Sequence, residues 1–153
     1  MLFVCLLLLA SCAKNDNTQY KTDVSVDNIC TKIYENIDLD TLIKADKEWV
    51  AFNISIDTSL CDESVVYISA NNESNLFGVF KAASEEKAET LYKQTQNFLE
   101  NMEKNWMSDY SPEELPKIQN AVSKKCGLYV SFIILEDNLR DNAEKTFTDM
   151  LKK

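Results

Sequence analysis

At 153 residues the chain is long enough for one domain with appendages, with a core that needs neither metal nor disulfide as its main support. A formal charge of −9 argues against nucleic-acid binding, which relies on clustered Lys and Arg, and the absence of His removes the commonest general base and zinc or haem ligand. The only glycines are Gly78 and Gly127, so neither a P-loop nor a GxGxxG turn can be assembled, and no cofactor is expected.

The chain opens on an uncharged run, residues 1–13, whose apolar part from Leu2 to Ala10 is about nine residues, where a bilayer-spanning helix needs roughly 20. Its length is that of a signal-peptide h-region, with the small residues Ala10 and Ser11 at the cut site. The basic n-region is missing, as it would be if the true start lay upstream of Met1. The competing reading, a buried strand or helix of the domain, fits poorly with the abrupt change to polar sequence at Lys14.

Leu9, Ala10, Ser11 and Cys12 resemble the lipobox of bacterial lipoproteins. The resemblance implies that residues 1–11 are a lipoprotein signal peptide. It further implies that the Cys12 thiol receives a diacylglyceryl group, and that the protein is held on the extracytoplasmic face of the cell membrane. Two acyl chains on one residue give stable anchoring where one is marginal. Residues 12–22, polar and without periodicity, then read as a tether, and a coil of that kind spans on the order of 15 to 20 Å.

The domain is expected over residues 23–153. Val24, Ile29, Ile33 and Ile37 predict a short helix from about Asp23 to Asn36, and Asp40 is placed to cap a second helix carrying Leu42, Ile43, Ala45 and Trp49. SVVYISA from Ser64 and NLFGVFK from Asn75 predict an antiparallel hairpin, with Gly78 marking a bulge or a close helix contact. Ser84 caps the clearest helix, whose apolar stripe runs from Ala88 through Leu91 and Phe98 to Trp106, with Glu89–Lys93 and Glu100–Lys104 as pairs on the wet side.

Ser111 to Leu115 reads as a capping box, with Glu114 three residues after its serine. Two more strands follow around a turn at Cys126 and Gly127. The second, Leu128 to Leu135, is apolar on both faces, so it is either central and covered on both sides or presents one face to a partner. A last helix opens at Asp137 or Asn138 and buries Ala143, Phe147 and Leu151. The order predicts an α+β two-layer sandwich, an antiparallel sheet of about four strands with helices packed on one face.

IDTSLCDESVVYIS, NLFGVFKAASEEKAETLYK and YVSFIILEDNLRDNAEKTF, spread between about Asp57 and Lys152, are together similar to a family of bacterial lipoproteins catalogued as domain of unknown function 4358. Cys126 and Gly127 depart from it where an Asn-Gly pair is more typical. The resemblance implies the lipobox and the architecture, and it carries no activity.

Candidate chemistry is sparse. Cys30, Cys61 and Cys126 allow one disulfide in three pairings, and Lys124 with Lys125 beside Cys126 would be the pair to activate a thiol. Asp57, Asp62 and Glu63 form an acidic cluster that lacks the glycine and the alternating oxygens of a calcium loop, and they read as solvated turn and cap residues. Glu136 and Asp137 are adjacent carboxylates that fit a helix cap better than glycoside chemistry. The aromatic set Tyr67, Phe77, Phe80, Tyr129 and Phe132 reads first as core. If one sheet face were left bare, it would form a binding surface or dimer interface.

The expectation is a non-enzymatic binding module, with no metal site and no nucleic-acid partner, that meets the membrane through Cys12 and an unidentified protein or small ligand through its domain. The alternatives are a small-ligand receptor of a transport system and a cysteine- or carboxylate-based enzyme.

Overall fold

The computed structural model describes residues 18–71, 73–107, 109 and 111–153. Cys12, the expected signal peptide and most of the expected tether lie outside them.

Ser25 accepts a hydrogen bond from Asn28 N–H and starts helix α1 (Val26–Ile37). Its buried residues Val26, Ile29, Cys30, Ile33 and Ile37 recur at steps of three and four, so one stripe faces the sheet. The second expected helix is replaced by two elements. Leu42–Lys44 forms strand β1, and helix α2 (Lys47–Asn53) begins only after Asp46, whose carboxylate accepts from Trp49 N–H at 2.7 Å. Asp40 caps nothing because the chain there is already turning into the sheet.

Strand β2 (Cys61–Ser69) pairs antiparallel with β3 (Leu76–Ala82), as the hairpin pattern predicts, with Val65 opposite Val79 and Tyr67 opposite Phe77. The bulge of this pair is at Asp62, between Cys61 and Glu63, and not at Gly78. Gly78 instead makes room for a neighbouring strand's ring: a Cβ there would stand 2.6 Å from Cε1 of Phe132.

Helix α3 (Glu85–Asn105) begins at Ser84, whose hydroxyl accepts from Lys87 N–H. A 3₁₀ turn, Pro112–Glu114, leads into the short helix α4 (Leu115–Gln119), and the Ser111 side chain makes no capping bond. Strands β4 (Val122–Cys126) and β5 (Tyr129–Ile134) form a hairpin in which Cys126 faces Tyr129 across the two-residue loop Gly127-Leu128. Gly127 has φ +59°, the positive value that a tight hairpin demands at its first loop position. Helix α5 (Asp137–Leu151) closes the chain.

The fold is α+β, with one antiparallel sheet of five strands in the order β1-β2-β3-β5-β4. The strand missed in the sequence is β1. The expectation of helices on one face is corrected: both faces are covered, and the molecule has three layers. On one side Phe77, Val79, Tyr129 and Ile133 pack with α1 and α5. On the other, Leu76, Phe80, Val130 and Phe132 pack with α3 and Ile118 of α4. Adjacent strand residues divide between the two cores because side chains alternate across a strand. Strand β5 is therefore central and sealed on both sides, and each of its fully buried large side chains contributes about 1.5–3 kcal/mol.

Candidate functional site

The residues singled out in the sequence are dispersed. Phe77, Phe80, Tyr129 and Phe132 are fully buried, and Tyr67 stacks between Tyr34 and Phe77 with ring centroids 5.3 and 5.0 Å away. These aromatics pack in the two cores, and among the described residues both faces of the sheet are covered by helices.

Cys30, Cys61 and Cys126 are free thiols, Cys30 and Cys126 buried and Cys61 partly exposed. Burial pushes the Cys30 thiol far above its ordinary range, and the Asp27 carboxylate adds to the effect. Burial likewise drives Cys61 up to about 12, with Asp57 and Asp62 contributing. For Cys126 burial outweighs the hydrogen bond from Tyr20 and the Lys124 charge, so the thiol is raised and not activated. Lys124 and Lys125 are engaged elsewhere, each paired with a carboxylate of a different helix, Glu144 of α5 and Glu89 of α3.

The acidic cluster also separates. Asp57 caps a 3₁₀ turn, accepting from Ser59 N–H and hydroxyl at 3.0 and 2.6 Å, and these bonds hold its carboxyl below the usual range. Glu63 accepts from Val26 N–H at 2.8 Å and pairs with Lys81 at 3.4 Å. Asp137 pairs with Arg140 at 2.5 Å, while Glu136 points to Lys117 at 3.7 Å. Among the described residues no three His, Cys, Asp or Glu side chains are grouped as metal ligands would be.

Two constellations went unnoticed in the sequence. The first is a buried polar knot. One Glu114 oxygen accepts from Ser74 N–H at 2.7 Å, from the Ser74 hydroxyl at 2.6 Å and from Lys117 at 2.7 Å. Burial pushes this carboxyl up, but the three donors prevail and hold it below its ordinary value of 4.5. The knot fastens the β2–β3 turn to α4. The capping-box pattern contained the right glutamate and the wrong partner.

The second is a cleft at the sheet edge. Strand β1 is three residues long and covers only Tyr67, Ile68 and Ser69 of β2. Ala45 N–H still donates to the Val66 carbonyl at 2.9 Å, and then Asp46 starts α2 and the chain leaves the sheet. From Cys61 to Val65, β2 is paired with β3 alone. A cavity of about 810 Å³ runs along that stretch, bounded by the start of α1, the start of α2 and the edge of β2. Alternate residues of an antiparallel strand direct their backbone groups to opposite neighbours. Since Val66 gives its carbonyl to the β1 side, Ser64 turns its N–H and C=O toward the cleft.

The cleft is acidic. Five carboxylates line it against two lysines. Lys44 is paired with Asp27 at 2.6 Å, and the hydrogen bond it donates to that carboxylate holds the ammonium above its usual range. Asp46, Glu48, Asp62 and Ser64 are exposed. No local sequence signal marks the cleft, because its existence depends on where β1 stops.

At the opposite edge, Tyr20 bridges to Lys152, Lys21 N–H donates to Leu151 C=O at 2.8 Å, and the Tyr20 Cβ lies 3.3 Å from where a Gly127 Cβ would be. The tether expected to run through Thr22 is therefore fastened to the domain at Tyr20 and Lys21. Among the described residues no helix is long and apolar enough to cross a membrane.

The family model described as Domain of unknown function (DUF4358) matches residues 35–135, more than half of the chain. That span covers all five strands and α2, α3 and α4, and includes most of the cleft. No curated protein and no solved structure matches the chain.

Proposed function

The chain belongs to the DUF4358 family, and on that premise we propose that it is a non-enzymatic interaction module, held at the extracytoplasmic face of the cell membrane by lipid on Cys12, whose partner enters the cleft beside β2. The observation that carries the reading is the unpaired, exposed stretch of β2 opening onto an acidic cavity. The described thiols are all raised, and Asp57, Glu63, Glu114 and Asp137 are spent on caps and ion pairs, which supports binding over catalysis. The lipobox resemblance of Leu9 to Cys12 supports the anchor. The domain's contact with the N-terminal segment, through Tyr20 and Lys21, is on the β4 side of the sheet, away from the cleft.

A small-ligand receptor of a transport system is the second reading, and the cavity volume favours it, since about 810 Å³ falls within the range of small-molecule sites. The carboxylates of the lining and the open strand edge suit a peptide chain better than an uncharged small molecule.

Two measurements test the proposal. Cys12→Ala is expected to move the protein from the membrane to the soluble fraction, and unchanged detergent partitioning sinks the anchor. A photo-crosslinking residue at Glu48 is expected to give a discrete adduct in intact cells, while one at the exposed Lys32 on α1 does not. Equal adducts at both positions, or none at either, count against the cleft as the binding surface.

A further inference from the structure

We infer that the cleft receives an extended, basic segment of a partner protein, which adds to the sheet as a strand alongside β2 where β1 stops. The inference deepens the interaction-module reading and rests on it.

Three observations lead there. First, the edge of β2 from Cys61 to Val65 has no strand on its outer side, and Ser64 directs a free donor and acceptor outward from it. A row of such groups is a template for strand addition. At ~3.3 Å per residue this stretch is roughly 16 Å long, enough for a short segment to pair. Second, apart from a bulge at Asp62 and the charges of Asp62 and Glu63, the edge is left open. It has no proline, no lysine and no covering helix, and the neighbouring chain has been led away by the Asp46 cap, leaving an open volume of about 810 Å³ beside it. Third, the walls carry five carboxylates and two lysines, and with Asp27 paired to Lys44 and Glu63 to Lys81 the balance left is Asp46, Glu48 and Asp62 against Lys47. An incoming strand that alternates its side chains would meet this negative field from both faces, and a basic one is attracted.

A second copy of this chain is the rival occupant. The β2 edge of one copy would repel that of another, since both carry the exposed carboxylates of Asp62, Glu48 and Asp46. The β4 edge does hold Lys124 and Lys125, but Glu144 and Glu89 already neutralise them. Charge complementarity therefore favours a foreign basic strand.

The test uses the full chain in detergent micelles and a short end-capped peptide alternating lysine and valine, with its glutamate-for-lysine counterpart as control. Saturable binding of the lysine peptide is expected, with slowed hydrogen exchange at Ser64 N–H. Ser64→Pro removes an N–H that the β3 ladder does not use, and is expected to weaken binding by about tenfold or more. The double variant Glu48→Lys with Asp62→Lys is expected to weaken it by a similar factor without touching the backbone. Should Ser64→Pro fail to fold, that double variant and the exchange measurement decide.

Equal binding of the glutamate peptide, exchange protection confined to β4, or binding unmoved by the charge variants overturns the inference. Self-association that Ser64→Pro abolishes also overturns it, in favour of a second copy. Failure of the peptide to bind while the Glu48 adduct persists overturns strand addition alone. Loss of that adduct is what overturns the module reading.

Discussion

The two edges of the sheet face the same physical problem and resolve it differently. At one edge, β4 turns the backbone groups of Ser123 and Lys125 outward, but the strand is only five residues long and is braced on both faces. Lys124 is tied to α5 through Glu144, Lys125 to α3 through Glu89, and the Ser123 hydroxyl meets Thr95 at 2.5 Å. Two lysines on a short edge are a standard guard against pairing with another chain. At the other edge, β2 has carboxylates in place of lysines and a bulge at Asp62, and among the described residues no strand lies beside it from Cys61 to Val65. A closed edge protects the fold. An open edge with a sign of charge selects what is allowed to approach, so the difference between them points to β2 as the working side of the molecule.

The strongest way to break this contrast is to open β2 at its other end. Glu114 holds the β2–β3 turn to α4, and Glu114→Ala would leave the buried Lys117 with only the longer contacts to Asn75 and Glu136, at 3.4 and 3.7 Å, and Ser74 N–H without an acceptor. Losing one member of such a buried pair is expected to cost about 3–5 kcal/mol, read as a drop in the denaturant midpoint. The wild-type interaction should also depend on pH. The folded carboxyl is held below its ordinary value of 4.5, so its contribution is complete above that value and is lost as pH falls through the lower folded one. The variant should show a flatter acid limb, and a limb identical to wild type would assign the acid transition to other groups.

Next in size is thiol reactivity, which compares the edges directly. Cys61 lies at the cleft and is partly exposed, while Cys126, at the end of β4, is fully buried. Near pH 10 a thiol held at about 12 is about one-hundredth ionised, whereas Cys126 reacts only when the fold opens, on the order of once in ten thousand molecules for a stability of 5 kcal/mol. Cys61 should label roughly a hundredfold faster than Cys126 or Cys30, and about tenfold faster for each unit of pH below 12. Equal rates for Cys61 and Cys126 would mean that the cleft is not an open edge.

Gly127→Val acts on the closed edge alone. It places a β-branched residue at φ +59° and a Cβ 3.3 Å from that of Tyr20, and about 1–2 kcal/mol should be lost. Hydrogen exchange is expected to quicken in β4 and to stay unchanged at Val65, whose N–H faces β3. Faster exchange along both edges would show that they open together.

Much of the fold was legible because its long elements have clear periods. The stripe from Ala88 to Leu91 and Thr95 and the cap at Ser84 define α3, and the doubly apolar β5 already required cover on both faces or a partner. Strand β1 was hidden because three residues cannot display an alternation, and Asp40 offered as good a cap as Asp46 did. Leu42 reads equally well on a helix or a strand until Ser69 is known to lie opposite it. The placement of helices on one face failed for a related reason: strand patterns tell how many faces are apolar, not which helix crosses to which side. The cleft was illegible in principle, since it is the length of β1 relative to β2 that creates it, and Glu114 could be read only against a residue 40 positions away.

The smallest expected effect concerns the brace on β4. Lys125 pairs with Glu89, and the pair is about one-third to one-half exposed, so solvent screens most of its attraction. The ammonium holds the Glu89 carboxyl below its usual range, yet removing an exposed pair of this kind costs about 0–1 kcal/mol. Lys125→Ala should therefore barely move the denaturant midpoint. Its consequence should lie in association instead, because one of the two long side chains braced over an unpaired edge is gone while Ser123 and the backbone at position 125 still point outward. Sedimentation of the variant is expected to show concentration-dependent self-association absent from the wild type and abolished by Ser123→Pro, which removes an outward N–H. A variant that stays monomeric would place the guard elsewhere, in Lys124 or in the N-terminal segment fastened at Tyr20. The contrast between a guarded and a receptive edge would then rest on the charge of β2 alone.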